Sequence, residues 1–191
     1  MYKAEYSEKS TVVGILTRAY ADNKGPNLII KQDAKREYRL AKLVEYIFEL
    51  CFAFGEVFLS QDKKSCALIL YPEKRKGLKS IIIDFKIIVQ CIGLRKLKSV
   101  LFAEIARKKI RPKTPISYLW QIAVVPEYQQ KGLGSILMEK VTQYSFSQQR
   151  PLYFEAVIPQ NVEWYKKLGF TVYQEADLNC KVFFLKKDIP A

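Results

Sequence analysis

The sequence predicts a single α/β (α+β) domain, a mixed sheet flanked by helices with a strand–helix–strand unit at its centre. Three observations carry this. Tyr118–Val125 is a continuous apolar run, the pattern of a strand buried on both faces. Leu40, Leu43, Val44, Ile47, Leu50, Cys51 and Phe54 recur as one helical stripe over roughly Ala34–Phe54. Glu56–Ser60 and Ser65–Tyr71 read as two strands of a hairpin turning at Gln61–Lys64. The length of 191 residues suits one core, and 49% apolar with 27% charged residues is a globular composition.

The remaining elements follow in chain order. Ser10 is placed to cap a helix running to about Ala21, which Asn23–Pro26 ends. Gly55 breaks the second helix. Leu78, Ile81, Ile82, Phe85, Ile88, Val89 and Ile92 form another helical stripe, and Leu97, Leu101 and Ile105 a third, with the Arg and Lys residues largely off both. Pro112 and Pro115 mark a break, and Pro126 ends the apolar strand. Gly132 to about Ser147 reads as a helix, Leu152–Val157 as a strand, and Asn161–Leu168 as a short helix closed by Gly169. Thr171–Gln174 and Lys181–Lys186 complete the set as strands.

Composition excludes whole classes of chemistry. Histidine is absent, which removes Ser–His and Cys–His nucleophiles and most catalytic zinc sites. Cys51, Cys66, Cys91 and Cys180 form no CxxC pair and read as buried free thiols, as in a reducing cytosol. Met1–Ser10 is polar and unlike a signal peptide. The most apolar windows, Val44–Leu59 and Ile81–Leu94, carry charges and fall short of the roughly 20 residues that span a bilayer. A soluble, cytoplasmic protein is expected. The net charge is +13, and from Lys79 to Lys113 ten basic residues face two acidic ones. Such a surface attracts polyanions, or serves only as a solvated helix face.

The chemistry concentrates at Val124-Val-Pro-Glu-Tyr-Gln-Gln-Lys-Gly-Leu-Gly-Ser135. A strand stops at a proline, a polar turn follows, and a helix opens with Gly132 and Gly134 in its first turn. The free N–H groups and partial positive charge of a helix N-terminus favour an anion, glycines allow close approach, and Lys131 adds a charge. A lone Gly-x-Gly is also an ordinary tight turn. The stretch is no P-loop, lacking Gly-Lys-[Ser/Thr], and no dinucleotide fingerprint, since residue 137 is Leu.

Gln129-Gln-Lys-Gly132-Leu-Gly134 after Val124-Val-Pro126 resembles the signature of the GNAT superfamily of acyl-CoA-dependent N-acyltransferases. A second hallmark follows in Leu152-Tyr-Phe-Glu155-Ala and Asn161-Val-Glu-Trp-Tyr165-Lys-Lys-Leu-Gly-Phe170. The match covers about Ser117–Phe170. The resemblance implies a mostly antiparallel mixed sheet of six or seven strands, with 117–170 as the acetyl-CoA-binding core of a single domain over 1–191. It makes the helices at about 78–110 an insertion between the third and fourth strands.

It also implies where acetyl-CoA would lie: in a cleft where the fourth and fifth strands part. The diphosphate would sit on the amides from Gln130 through Lys131, Gly132, Leu133 and Gly134 to Ser135, with Gln129 opening the loop. The pantetheine would pair with Ile122, Ala123 and Val124, and Asn161 would touch the cofactor or, alternatively, cap its helix. Tyr165 matches the tyrosine that protonates the leaving thiolate, although one tyrosine of 12 beside Trp164 could simply pack. Glu155 is the candidate general base, on the expectation that burial raises its pKa, or else the partner of a lysine or backbone amide. Tyr118 and Gln121, where many relatives carry a base, are not obvious bases. The expected reaction is direct attack of a primary amine on the acetyl thioester, without a metal. The acceptor stays unnamed, a homodimer stays open, and nucleic acid is disfavoured because no recognition motif accompanies the basic run. A non-catalytic acyl-CoA-binding protein is the other alternative.

Overall fold

A computed structural model describes residues 1–21, 27, 30–77, 84, 93–178 and 180–190, with the backbone alone described at 93–97. Seven strands form one sheet in the order β1-β2-β3-β4-β5-β7-β6. They are β1 (Tyr2–Lys3), β2 (Gly55–Leu59), β3 (Ser65–Leu70), β4 (Ser117–Val124), β5 (Leu152–Ala156), β6 (Thr171–Asp177) and β7 (Lys181–Lys187). Every neighbouring pair is antiparallel except β4 and β5. The helices described are α1 (Lys9–Ala19), α2 (Arg36–Phe54), α3 (Gly93–Ile110), α4 (Leu133–Ser147) and α5 (Pro159–Lys167).

Strand alternation divides the core between two faces. Cys66, Leu68 and Leu70 of β3 pack with Val12 and Leu16 of α1 and with Leu40, Val44, Ile47 and Phe48 of α2. Ala67 and Ile69 point the other way, towards Leu137, Met138 and Val141 of α4 and Val162 and Tyr165 of α5. A third cluster joins Ala103 of α3 to Leu178, Val182 and Phe184. β3 is therefore buried at every position, the centre of a three-layer sandwich.

Gly55 is both the cap of α2 and the first residue of β2. A Cβ there would lie 1.9 Å from the Ile69 carbonyl oxygen, which explains a glycine where helix turns directly into strand. Gly55→Ala is expected to cost about 1–3 kcal/mol by overpacking, read as a drop in thermal midpoint of roughly 3–10 °C. An unchanged midpoint would refute the close approach.

Several expectations are corrected. Ser10 lies inside α1, which starts at Lys9 after a one-turn 3-10 helix carrying a Glu5/Glu8 capping box. β1 was hidden in the polar N-terminus because an edge strand of two residues has no periodicity to show. β6 runs on to Asp177, its mostly exposed residues being held by ladder bonds to β7 and not by apolar burial. In α3 the stripe is reversed: Leu101 and Ile105 are 51% and 56% exposed, while Ala103 is buried. Arg107 and Arg111 face inward instead, because a buried carboxylate waits there. Cys51 and Cys66 are buried free thiols, Cys180 is half-exposed, and Cys91 lies outside the described residues. The stripe from Leu78 to Ile92 also lies outside them.

Candidate active site

β4 and β5 run together for only two residue pairs, Ser117↔Leu152 and Tyr118↔Tyr153, and then part. β4 continues along β3 to Val124, and β5 continues along β7 to Ala156. A bulge in β4 at the parting helps to turn it: Leu68 pairs with Gln121 and Ile69 with Leu119, leaving Trp120 as the extra residue. Val125 N–H donates to Lys64 carbonyl at 2.9 Å, so by antiparallel alternation the polar groups of Ile122 and Val124 face the opening. These are the groups a strand-like ligand would meet.

Their carbonyls already have partners. Ile122 C=O accepts from the Tyr20 hydroxyl at 2.9 Å, and Val124 C=O accepts from Gln129 Nε2 at 2.9 Å. Side chains from beyond α1 and from the following loop thus protect this edge, as edges generally require.

At the end of β4 the chain makes a one-turn 3-10 helix (Pro126–Tyr128) and enters α4. Gln130 and Gly132 are both left-handed, with φ of 59° and 78°, and the double reversal brings the loop's N–H groups to the head of α4. Gly132 caps that helix, and the first bond inside it is Ile136 N–H to Gly132 C=O at 3.1 Å. The amides of Leu133, Gly134 and Ser135 thus precede the helical ladder. A Cβ on Gly132 would meet nothing within 4 Å, so the ground before these amides is open. Gly134 instead permits packing, its Cβ position lying 3.8 Å from Trp164. Trp164 Nε1 also donates to Ser135 Oγ at 3.2 Å, tying α5 to the head of α4. Lys131 turns back to Glu127 carbonyl at 2.9 Å, so its charge stands beside the loop and not over it.

Tyr165 lies buried on the α4–α5 face of the sheet. Its ring packs between Phe154, Trp164 and Phe170 with centroids 4.5, 4.7 and 6.3 Å away. Burial pushes its phenol up to about 12, so it is a protonated donor at neutral pH. Among the described residues its hydroxyl has no hydrogen-bond partner. Asn161 is exposed in the first turn of α5; Ile158 occupies the cap position expected for it.

Glu155 lies on the opposite face of β5 from Phe154, and so from Tyr165. Its carboxylate accepts from Arg107 Nε at 2.7 Å, Arg111 Nη2 at 3.1 Å and Tyr118 hydroxyl at 2.7 Å. Arg111 also lies over the Tyr118 ring, 4.1 Å from its centroid. Burial alone would push this carboxyl up, but the two guanidiniums and the hydrogen bonds outweigh it and hold the pKa below its ordinary value. The expectation of a raised pKa is therefore reversed. Neither arginine was singled out from the sequence; the signal available was a lone acid in an apolar strand plus an i, i+4 arginine pair. Tyr20 left no comparable signal, its partner being 102 residues away.

Two hollows, about 640 Å³ beside α1 and about 310 Å³ between the β2–β3 turn and α4, lie apart from Tyr165. No helix among the described residues is long and apolar enough to cross a membrane.

Residues 86–170 match the acetyltransferase (GNAT) family. The chain is similar in fold to a histone acetyltransferase HPA2 and related acetyltransferase from Corynebacterium glutamicum, with 17% identity and a TM-score of 0.67 over 100% of this chain and 96% of that one. It is similar to the C-terminal condensation domain of Ebony in complex with beta-alanyl-dopamine, with 10% identity and a TM-score of 0.72 over 98% and 97%. A mosquito arylalkylamine N-acetyltransferase like 5b gives 15% identity and a TM-score of 0.55 over 97% of each. At these identities the likeness concerns the fold.

Proposed function

We propose, from the match of residues 86–170 to the acetyltransferase (GNAT) family, that the chain transfers an acetyl group from acetyl-CoA to a primary amine by direct attack on the thioester. The carrying observation is a juxtaposition. The parted β4–β5 edge, the amides heading α4 and Tyr165 are linked through α5, where Trp164 bonds Ser135 at the head of α4 and Tyr165 packs on Phe154 of β5. The whole chain, 1–191, is read as one domain with its acetyl-CoA-binding core at about 117–170 and a helical insertion at about 78–110.

In this reading the amides from Gln130 to Ser135 hold the diphosphate of the cosubstrate. The edge from Ile122 to Val124 holds its pantetheine through N–H groups, and Asn161 contributes from α5. Acetyl-CoA supplies an activated acyl carbon. The amine nitrogen forms the new C–N bond, the C–S bond breaks, and the thiolate takes the Tyr165 proton. The proton released from nitrogen passes to solvent, from which the phenolate is reprotonated. Glu155 is given a positioning role in place of the base expected from sequence, because a carboxylate held ionised by two guanidiniums is a weak base. The nucleic-acid alternative is weakened by the same pairs, which withdraw Arg107 and Arg111 from the basic surface. The buried free thiols of Cys51 and Cys66 suit a cytoplasmic location.

Calorimetric titration with acetyl-CoA tests the binding half; micromolar affinity is expected, and silence at millimolar concentration rejects the proposal. A thiol-release screen over primary amines tests the transfer half. Once an acceptor is in hand, Tyr165→Phe should lower kcat about a hundredfold with the acetyl-CoA affinity unchanged. An equal kcat would remove the phenol from the chemistry.

A further inference from the structure

One side chain at the parted edge of β4 has no part in the transfer chemistry. Tyr20 follows α1, and its ring packs against the core on the α1–α2 face, opposite the face that carries Tyr165. Its hydroxyl donates to the Ile122 carbonyl, in the part of β4 that has separated from β5. The opening is thus approached by two phenols, one from each face of the sheet.

Direction along β4 decides what Tyr20 meets. The head of α4 lies at the Val124 end, and the strands close together at Tyr118 and Tyr153. A ligand anchored by its diphosphate at Gly132–Ser135 and extended along β4 passes Val124 first and Ile122 next. Its thioester reaches Tyr165 with the acyl carbons pointing towards the closed end. Tyr20 borders that path, its hydroxyl held on the Ile122 carbonyl at 2.9 Å. We infer that Tyr20 limits the length of the transferred acyl group, its ring walling the gap between β4 and β5 so that acetyl fits and longer chains do not. This rests on the acyl-transfer reading and deepens it: Tyr20 is a specificity-determining residue, not a proton donor.

The test is calorimetry of the full chain with CoA, acetyl-CoA and hexanoyl-CoA, which needs no acceptor. The wild type is expected to bind acetyl-CoA at least tenfold more tightly than hexanoyl-CoA. Tyr20→Ala and Tyr20→Leu, each checked for a cooperative thermal transition, should shift that ratio at least tenfold towards hexanoyl-CoA. Tyr20→Phe, which keeps the ring and drops the hydroxyl, should stay within threefold of the wild-type ratio. An unmoved ratio in a folded Ala or Leu variant overturns the inference while leaving acyl transfer standing. So does a wild type that binds the two esters within threefold of each other, whatever the variants do. If the wild type binds none of the three, the acyl-transfer reading falls and the inference with it.

Discussion

Gly132→Glu is expected to abolish acetyl-CoA binding, weakening it more than about a thousandfold. One effect bears on folding and two on binding. Gly132 sits at φ 78°, where a side chain costs about 1–2 kcal/mol in backbone strain. A Cβ there meets nothing within 4 Å, and Gly132 directly precedes the amides of Leu133, Gly134 and Ser135, so the new carboxylate is expected to compete for the proposed diphosphate site. That carboxylate takes the N–H groups for itself, and each charge-assisted bond lost to the ligand is worth about 1.5–3 kcal/mol. Two or three such bonds suffice for the roughly 4 kcal/mol that a thousandfold represents. Fold loss is separable from site loss, because nothing packs within 4 Å of that Cβ. The variant should keep a thermal midpoint within a few degrees of wild type while its titration is flat. Wild-type affinity in this variant would dismiss the head of α4 as the anion site. Gly132→Ala carries the strain without the charge and should fall between the two.

How far the sequence revealed this site depended on the range of the interaction. The strand ending at Pro126, the glycine-opened α4 and the short helix bearing Tyr165 are local patterns, and the structure has all three within a residue or two of the sequence limits. Gly132 was legible because its left-handed turn has a sequence price. The parting of β4 from β5 was not legible from spacing; it entered through the resemblance and then through the register, which stops after Tyr118↔Tyr153. Helix α3 misled for a physical reason. Its Leu101 and Ile105 suggested an inward stripe, yet they are exposed by 51% and 56%. What orients α3 is the attraction between Arg107, Arg111 and a carboxylate 44 or more residues away, which no periodicity of the helix encodes. The same holds for Tyr20 and Ile122, joined across the sheet by one hydrogen bond.

Glu155→Ala is expected to destabilise the protein by about 3–5 kcal/mol, since removing one partner of a buried ionic cluster strands the others. Two guanidiniums and a phenol lose their shared acceptor at once. Arg111 has little in reserve: its Nε is already buried without a partner, and Glu104 stands 3.6 Å from its Nη1. Arg107 lies in the last turn of α3 and Arg111 follows its end, so their release frees that helix from β5 as well. Unfolding by urea should show the loss directly, with a fall in thermal midpoint of roughly 6–20 °C. Glu155→Gln keeps an acceptor for Tyr118 and for one arginine and should cost less. The pH dependence has a definite sign. The folded carboxyl is held below its ordinary value, so the cluster contributes fully above the unfolded carboxylate pKa of about 4.3 and its contribution is lost as pH falls through the folded value. The wild-type advantage over Glu155→Gln should therefore be constant from neutral pH down to about pH 5 and shrink below it. A general base would behave differently: its removal would erase the acidic limb of kcat/KM while leaving stability nearly untouched. A stability loss under about 1 kcal/mol together with a vanished acidic limb would return Glu155 to the chemistry and leave α3 held by other contacts.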